Sequence, residues 1–301
     1  MADWGRLPAD VEPVVFRDHL ADLEAVAARL ADFDVVMAMR ERTPFPRALL
    51  ERLPRLRLLV TAGMRNAAID LHAAADRGIL VCGTAGLPYP TAELAWGLIL
   101  SLVRWIPHED RATRDGRWQE TVGRGLNGKT LGVLGLGTLG SRVARFGRAF
   151  EMEVLAWSQN LVAARAAEVG ARRVDRDELL ARSDVVTVHL VLSDRTRGLV
   201  GARELGLMKR TAYLVNTSRG PIVEEAALVH ALRGGTIAGA GLDVFDEEPL
   251  PPDHPLRGLP NTVITPHLGY VTEETYRIFY GQALEDIQAY LRGEPIRVLR
   301  P

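Results

Sequence analysis

Three glycines spaced for phosphate binding stand near the middle of the chain. Gly135, Gly137 and Gly140 form a Gly-x-Gly-x-x-Gly pattern directly after the apolar run 130–134. The first glycine of such a pattern permits a tight turn, the second lets backbone N–H groups approach a pyrophosphate, and the third lets a helix pack on a strand. A second apolar run, 153–157, completes a strand–helix–strand unit of about 30 residues, which makes the pattern far more specific than glycines alone. The stretch predicts dinucleotide binding at a helix N-terminus.

Ionisable side chains follow three later apolar runs. Arg219, Glu248 and His267 lie in the segments 216–220, 242–249 and 265–269. Open α/β sheets bind ligands at the carboxyl ends of their strands. There, an arginine can grip a planar carboxylate through two hydrogen bonds, and a histidine oriented by a carboxylate can transfer a proton near neutral pH. Taken singly, each residue also has a purely structural interpretation: a salt-bridged turn arginine, a solvated loop carboxylate and a capped core imidazole.

Composition restricts the function classes. The chain has 301 residues, 47% hydrophobic and 25% charged, with a net charge of −1. This is enough for two globular domains, and it argues against a surface that binds nucleic acid. The single cysteine, Cys82, cannot form an internal disulfide, which favours a cytoplasmic location. The N-terminus has no signal-peptide pattern, and the apolar stretch 94–106 is too short to span a bilayer, so no membrane association is expected.

The elements that must position these residues follow an alternating pattern. In the first part of the chain, strands are predicted at 11–16, 35–39, 56–61 and 79–82, and helices at 22–31, 46–53 and 69–77. Alternation of this kind indicates a parallel sheet covered on both faces. A long helix begins near Thr91 and should kink or break at Pro107. After the loop 116–128, strands are predicted at 130–134, 153–157, 172–174, 184–192, 213–217, 238–244 and 262–265, with helices between them and a final amphipathic helix at 272–292.

Further motifs extend the pattern over nearly the whole chain. They are the segments 63–70, 92–93, 126–130, 189–190 and 196–198. In this order, together with the glycine pattern and the three ionisable segments, they resemble the D-isomer-specific 2-hydroxyacid dehydrogenase family. The resemblance implies two doubly wound parallel-sheet domains, with a Rossmann NAD(P)-binding domain at 96–269 inserted into a flavodoxin-like substrate domain at 1–95 and 270–301.

The resemblance also implies roles for individual residues. Arg219 would anchor the substrate, Glu248 would orient the imidazole, and His267 would act as acid and base. The cofactor would contact Gly135, Gly137, Thr138, Leu139, Gly140, Ser158, Gln159, Asn160, Leu190, Thr196, Thr217, Ser218 and Asp243. Backbone N–H groups around Met64 and Arg65 would bind the substrate carboxylate in addition to Arg219, and no metal is implied. The Arg65 side chain would either add a second positive charge to the pocket or be solvated.

The sequence departs from the family in places that bear on these roles. Ser158 stands where many members carry the aspartate that binds the ribose and repels a 2′-phosphate, which favours NADP over NAD. Gly83 replaces a usual asparagine and Val191 a usual proline, of which the first should alter contacts in the substrate pocket. Related chains begin with a strand before the segment that resembles Met1 to Leu7, so this chain is expected to start after the first strand of its substrate domain. Either the start codon is assigned late or the sheet lacks a strand.

The expected activity is hydride transfer between NAD(P)H and a 2-oxo acid or D-2-hydroxy acid, in the manner of a glyoxylate or hydroxypyruvate reductase. One alternative is a formate- or phosphite-type dehydrogenase on the same scaffold. Another is a dimeric binding protein that senses NAD(P)(H) without turnover. The family further implies a homodimer whose interface includes the helix from Glu93 and the loop around Trp118.

Overall fold

The computed structural model describes residues 2–301 and divides into two compact units. The first unit combines Met1–Leu87 with Val271–Pro301, and the second is Pro88–Tyr270. Among residues 2–301, no helix combines the length and the apolar character that crossing a membrane requires.

The first unit contains a three-stranded parallel sheet in the order β1-β2-β3. Its strands are β1 (Val35–Ala38), β2 (Leu58–Thr61) and β3 (Leu80–Gly83), and its helices are α1 (Leu23–Leu30), α2 (Arg47–Leu50), α3 (Leu71–Asp76) and a C-terminal helix (Glu273–Leu291). Asp22 and Asp70 cap α1 and α3, because each carboxylate accepts a backbone N–H of the first turn at 2.8 Å. Apolar side chains cover both faces of the sheet, with Phe45 and Leu50 in one cluster and Ala283 and Ile287 of the C-terminal helix in the other.

The strand predicted at 11–16 is wrong. This segment is irregular, and Val14, Val15 and Phe16 are 51%, 66% and 44% exposed. Within residues 2–301 the edge strand β1 pairs with β2 alone. Because no strand among these residues lies beside the segment, it cannot form the ladder of backbone hydrogen bonds that defines a strand. Phe16 is held by side-chain contacts, edge to face with Phe33 at 5.7 Å and beneath the Arg29 guanidinium at 4.8 Å.

A buried ion pair lies between the C-terminal helix and the last residues of the chain. Arg297 Nε donates to Asp286 Oδ1 at 2.9 Å, and Asp286 is fully buried. Burial raises the pKa of Asp286 to about 6 and that of the nearby Cys82 thiol to about 11. The same C-terminal segment extends the sheet, since the N–H of Leu299 donates to the carbonyl of Val81 at 2.8 Å.

The second unit contains a seven-stranded parallel sheet in the order β10-β9-β8-β7-β4-β5-β6. Its strands are β4 (Thr130–Leu134), β5 (Glu153–Trp157), β6 (Arg172–Arg173), β7 (Val185–Val188), β8 (Tyr213–Asn216), β9 (Gly239–Leu242) and β10 (Thr262–Ile264). Its helices are α4 (Pro90–Val103), α5 (Ile106–Arg114), α6 (Thr138–Ala149), α7 (Ala163–Ala167), α8 (Arg176–Arg182), α9 (Ala202–Leu207) and α10 (Glu225–Arg233). Short 3₁₀ turns lie at Trp4–Arg6 and Arg40–Arg42 in the first unit and at Gly220–Ile222 and Pro255–Gly258 in the second. The α/β class with parallel sheets, predicted from the alternation, is confirmed.

Two local predictions in the second unit have different outcomes. The helix break predicted near Pro107 is confirmed, because α4 ends at Val103, and Pro107 lies in the first turn of α5 after Trp105 in a left-handed conformation (φ 54°). The strand predicted at 184–192 is too long. It ends at Val188, and the carbonyls that follow serve other contacts described below.

The order of strands reverses beside β4, which lies between β5 and β7. After β4 the chain forms β5 and β6 on one side of it, and then crosses to form β7, β8, β9 and β10 on the other side. In open parallel sheets this point forms a crevice at the carboxyl ends of the strands, where ligands bind. The glycine pattern follows β4 directly.

Candidate active site

The glycine loop connects β4 to α6. Gly135 has φ +101°, a conformation that L-residues rarely adopt, and a methyl group there would lie 2.5 Å from the carbonyl oxygen of His189. A methyl group on Gly140 would lie 1.9 Å from the carbonyl oxygen of Gly135, so the helix packs on the loop at a distance only glycine permits. At Gly137 a methyl group would meet no atom within 4 Å. The open space therefore lies beside the N-terminus of α6, which fits a pyrophosphate.

The end of β5 is tied to this loop by Ser158. Its hydroxyl oxygen accepts the N–H of Leu136 at 2.9 Å. Gln159 and Asn160, which follow, are exposed, as are Gly137 and Thr138, whereas Leu139 is half-buried. Ser158 thus has a structural function in shaping the loop, in addition to the cofactor contact that remains a prediction.

Other predicted cofactor residues lie on the segments that follow β7 and β8. The Ser218 hydroxyl donates to the carbonyl of Leu190, and the Thr196 hydroxyl donates to the carbonyl of Val191 at 2.7 Å. The Thr217 hydroxyl is buried, and no residue in the range 2–301 accepts or donates a hydrogen bond to it. Buried polar groups without a partner are uncommon. This hydroxyl fits a site that a bound polar ligand completes.

Three neighbouring strands bring the predicted catalytic segments to one edge of the sheet. Arg219 follows β8, Asp243 follows β9 and His267 follows β10, and these three strands are adjacent and parallel. The turn at Arg219 is held by Asn216, whose amide donates to the Arg219 carbonyl and accepts the Ser218 N–H, both at 3.0 Å. A methyl group on Gly220 would lie 2.1 Å from the Phe245 backbone, so this turn lies directly against the chain that leaves β9.

Glu248 and His267 form a short hydrogen bond. The distance between Glu248 Oε2 and His267 Nδ1 is 2.6 Å, and the side chains are 34% and 23% exposed. Glu248 Oε1 accepts the N–H of Phe245 at 2.9 Å, which fixes the carboxylate. Because the carboxylate engages Nδ1, it selects the tautomer and leaves Nε2 available to exchange a proton with a ligand.

The backbone around His267 is held in an unusual conformation by Asp243. His267 has φ +56°, in the left-handed region that non-glycine residues seldom occupy outside turns and functional sites. Asp243 is fully buried, and its oxygens accept hydrogen bonds at 2.6–2.7 Å from the Thr265 hydroxyl and from the N–H groups of Leu268 and Gly269. Burial raises the pKa of Asp243, and the three donors oppose this rise. Asp243 therefore fixes the loop that carries His267, and its predicted contact with the nicotinamide stays a prediction.

Sequence reasoning missed several residues that shape this edge. Asn216 and Thr265 fix the turns on either side of β9, and both are polar residues that end an apolar run, a signal that could have identified them. His189 belongs to the motif 189–190, which assigns it no role. Its Nε2 lies 2.9 Å from the Thr187 hydroxyl, its Nδ1 is buried without a hydrogen-bond partner among residues 2–301, and burial lowers its pKa to about 4. The imidazole is therefore neutral at physiological pH.

The predicted substrate residues Met64 and Arg65 belong to the first unit. They lie on the loop after β2, and both side chains are exposed. The loop is fixed by the Gly63 N–H, which donates to the Thr84 hydroxyl at 3.0 Å, and by Asn66, which donates to the Thr61 hydroxyl at 2.9 Å. Their contacts with substrate remain a prediction.

Comparison with known proteins gives the family. Residues 96–269 match the sequence model of the family described as D-isomer specific 2-hydroxyacid dehydrogenase, NAD binding domain. The chain is 43% identical to a glyoxylate reductase of Aeropyrum pernix over 82% of its own length and 76% of that protein. It is 33% identical to a hydroxypyruvate reductase of Blautia hydrogenotrophica over 99% of its own length and 94% of that protein.

A solved structure gives the same result. The phosphoglycerate oxidoreductase of Vibrio cholerae superimposes with a TM-score of 0.90 at 37% identity, covering 93% of this chain and 91% of that one. The similarity thus extends through both units, beyond the range of the matched domain. Together with the matching motifs, these findings confirm the resemblance inferred from sequence. The chain belongs to the D-isomer-specific 2-hydroxyacid dehydrogenase family.

Proposed function

We propose that the protein reduces a small 2-oxo acid to a D-2-hydroxy acid with NAD(P)H, with glyoxylate and hydroxypyruvate as the first substrates to test. The observation that carries the proposal is the 2.6 Å hydrogen bond between Glu248 and His267, at the strand edge that also carries Arg219. The relatives named glyoxylate reductase and hydroxypyruvate reductase support this choice of substrates.

The unit Pro88–Tyr270 would bind the cofactor, and the unit containing residues 1–87 would contribute Met64 and Arg65 to the substrate site. The residues present fit a dinucleotide, because Gly137 leaves space at the N-terminus of α6 and the buried Thr217 hydroxyl has no hydrogen-bond partner among residues 2–301. Bound nicotinamide supplies the hydride. The pyrophosphate would lie against the glycine loop, and Ser158 to Asn160 would face the adenosine ribose.

The side chains of this protein would supply binding and proton transfer. The Arg219 guanidinium would bind the substrate carboxylate through parallel hydrogen bonds, which holds the 2-carbonyl in a fixed orientation. His267 Nε2 would give its proton to the carbonyl oxygen as the alcohol forms. Glu248, bonded to Nδ1, would stabilise the positive charge that the imidazole carries before that transfer.

Substitution of His267 tests the proposal. We expect His267→Asn to lower kcat by roughly 10²–10⁴-fold, the usual contribution of general acid–base catalysis, and to leave NADH or NADPH affinity near that of the parent. His72→Asn is the matched control, because His72 is exposed on α3. Unimpaired turnover of His267→Asn would refute the assigned role. Cofactor binding without turnover on any of several 2-oxo acids would instead support a sensing protein.

We propose further that NADPH is accepted and favoured over NADH. The residues Ser158, Gln159 and Asn160 place no carboxylate at the end of β5, so a 2′-phosphate meets no negative charge from these three side chains. Steady-state kinetics with the two cofactors decides the preference, and a clear advantage for NADH would contradict it.

A homodimer in the cytoplasm completes the proposal. The segment from α5 through the following loop exposes Ile106, Trp118 and Val122 at 50%, 77% and 93%, which is an unusual concentration of apolar surface. Sedimentation analysis would contradict the dimer if it found a monomer at micromolar concentration. The buried free thiol of Cys82 is compatible with a reducing compartment, which cell fractionation can test.

A further inference from the structure

A second histidine–carboxylate pair lies outside the residues assigned to the reaction. His254 Nε2 lies 2.9 Å from Glu225 Oε1, and the two side chains are 15% and 22% exposed. Glu225 is the first residue of α10, whose residues Leu228, Ala231 and Leu232 are buried in the core of the second unit. The pair is thus anchored to a well-packed helix.

The two oxygens of Glu225 contact the two ends of one loop segment. Oε2 accepts the N–H of Asp246 at 3.3 Å, and Oε1 contacts His254. Glu248 lies between these contacts, two residues after Asp246. One carboxylate on α10 therefore spans the segment that presents Glu248 to His267.

Hydrogen bonds at His254 define its tautomer. Nδ1 accepts the N–H of Leu256 at 3.3 Å, so the ring hydrogen of the neutral imidazole is on Nε2, where Glu225 accepts it. The far side of the loop is fixed independently, because Arg257 donates to the carbonyls of Leu250 and Pro251 at 2.5 and 2.7 Å. On the side nearer Asp246, Glu225 adds to the hydrogen bond between the Phe245 N–H and Glu248 Oε1.

The charged groups that face this pair are few and of both signs. Burial and the neighbouring Glu225 raise the pKa of Asp246, whereas Arg197 and His254 oppose this rise. The Asp246 N–H thus donates to the Glu225 carboxylate, although the negative charge of Glu225 also lies near the side-chain carboxylate of Asp246. Loss of charge at residue 225 would change both the tether and the local field.

We propose that Glu225 is a positioning residue, which holds Glu248 in hydrogen-bonding geometry with His267 through the Asp246 backbone and His254. The proposal rests on the proposed acid–base function of Glu248 and His267. Catalytic groups must be held within about 0.5 Å of productive geometry by supporting contacts. Without the tether, the segment 246–249 can move away from His267, and the short hydrogen bond lengthens.

A double-mutant cycle tests this mechanism in the full-length protein. We expect Glu225→Ala to lower kcat by roughly tenfold or more with little change in KM, because positioning affects the proton transfer and not substrate binding. In a Glu248→Gln background the same substitution should cause little further loss, since its effect passes through Glu248. Glu225→Gln should fall between, because the amide keeps one acceptor oxygen for His254. Glu224→Ala, at the exposed neighbouring position, is the control and should match the parent.

A spectroscopic measurement separates this inference from the proposed function. In proton NMR, a hydrogen-bonded imidazole N–H gives a far-downfield resonance. If this resonance disappears in His267→Asn, it belongs to His267. We expect Glu225→Ala and Glu225→Gln to shift or broaden this resonance and Glu224→Ala to leave it unchanged. Additive losses in the cycle, or an unaltered resonance in folded Glu225 variants, would overturn the positioning function. A parent without reductase activity whose resonance still responds to Glu225 would overturn the proposed reaction alone.

Discussion

Alanine at two positions of the glycine loop should separate folding from cofactor binding. The same methyl group is added in Gly140→Ala and Gly137→Ala, and the structure gives it different surroundings. On Gly140 it would lie 1.9 Å from the Gly135 carbonyl oxygen, whereas on Gly137 no atom lies within 4 Å. The first substitution therefore strains the protein itself, and the second obstructs a ligand.

The expected magnitudes follow from these distances. The Gly140 methyl is about 1.5 Å inside ordinary van der Waals contact with backbone atoms that cannot rotate away, so α6 must shift on β4. Overpacking of this kind costs roughly 1–3 kcal/mol of unfolding free energy or more. The Gly137 methyl costs the fold little, but it occupies the space through which the loop approaches a pyrophosphate. A loss of about 1.4 kcal/mol there would weaken binding tenfold.

Chemical denaturation and cofactor titration measure the two effects. Gly140→Ala should lower the unfolding free energy, and Gly137→Ala should keep it near that of the parent while weakening NADH and NADPH by about tenfold or more. If Gly137→Ala binds both cofactors as the parent does, the loop does not cradle the pyrophosphate. If Gly140→Ala is as stable as the parent, the helix does not pack on the loop at a distance that only glycine permits.

Two further predictions concern charge. Ser158→Asp should weaken the binding of NADPH by at least about tenfold and leave the binding of NADH unchanged, because the new carboxylate can still accept the Leu136 N–H but repels a 2′-phosphate. Equal changes in the two affinities, measured by cofactor titration, would contradict this. Asp286 holds its proton in the fold up to pH about 6, against an ordinary value of 3.8, so its contribution to stability is present below pH about 4 and is lost as pH rises through 6. Between pH 4.5 and 7.5 the unfolding free energy should therefore fall by about 2 kcal/mol, and Asp286→Asn should lack this dependence when the two values are compared; an unchanged dependence would refute the assignment to Asp286.

Sequence reasoning predicted those parts of the molecule that depend on local patterns. Gly135 to Gly140 lie at a strand–helix turn as predicted, and the segments with Arg219 and His267 end neighbouring strands because apolar runs identify strands and parallel order aligns their carboxyl ends. The segment 11–16 failed for the opposite reason. Its pattern fits a strand, but a strand forms only where another lies beside it, which no local pattern contains.

Contacts between distant segments were likewise out of reach. Asp243 was assigned to the cofactor, and nothing around it in sequence indicates that it accepts hydrogen bonds from Thr265, Leu268 and Gly269. Glu225 and His254 are 29 residues apart, and each alone reads as an ordinary helix-end or loop residue. The specific pairing of side chains is decided by tertiary packing.

The division of the chain into two units has a consequence for how this protein could diversify. Arg219, Glu248, His267 and the glycine loop all belong to the unit Pro88–Tyr270, whereas the exposed side chains of Met64 and Arg65 belong to the other. Under the proposed assignment of Met64 and Arg65 to the substrate, substitutions at these two positions should alter which acid is accepted and leave the groups assigned to proton transfer unchanged. A library randomised at residues 64 and 65 is a natural starting point for selecting new substrates.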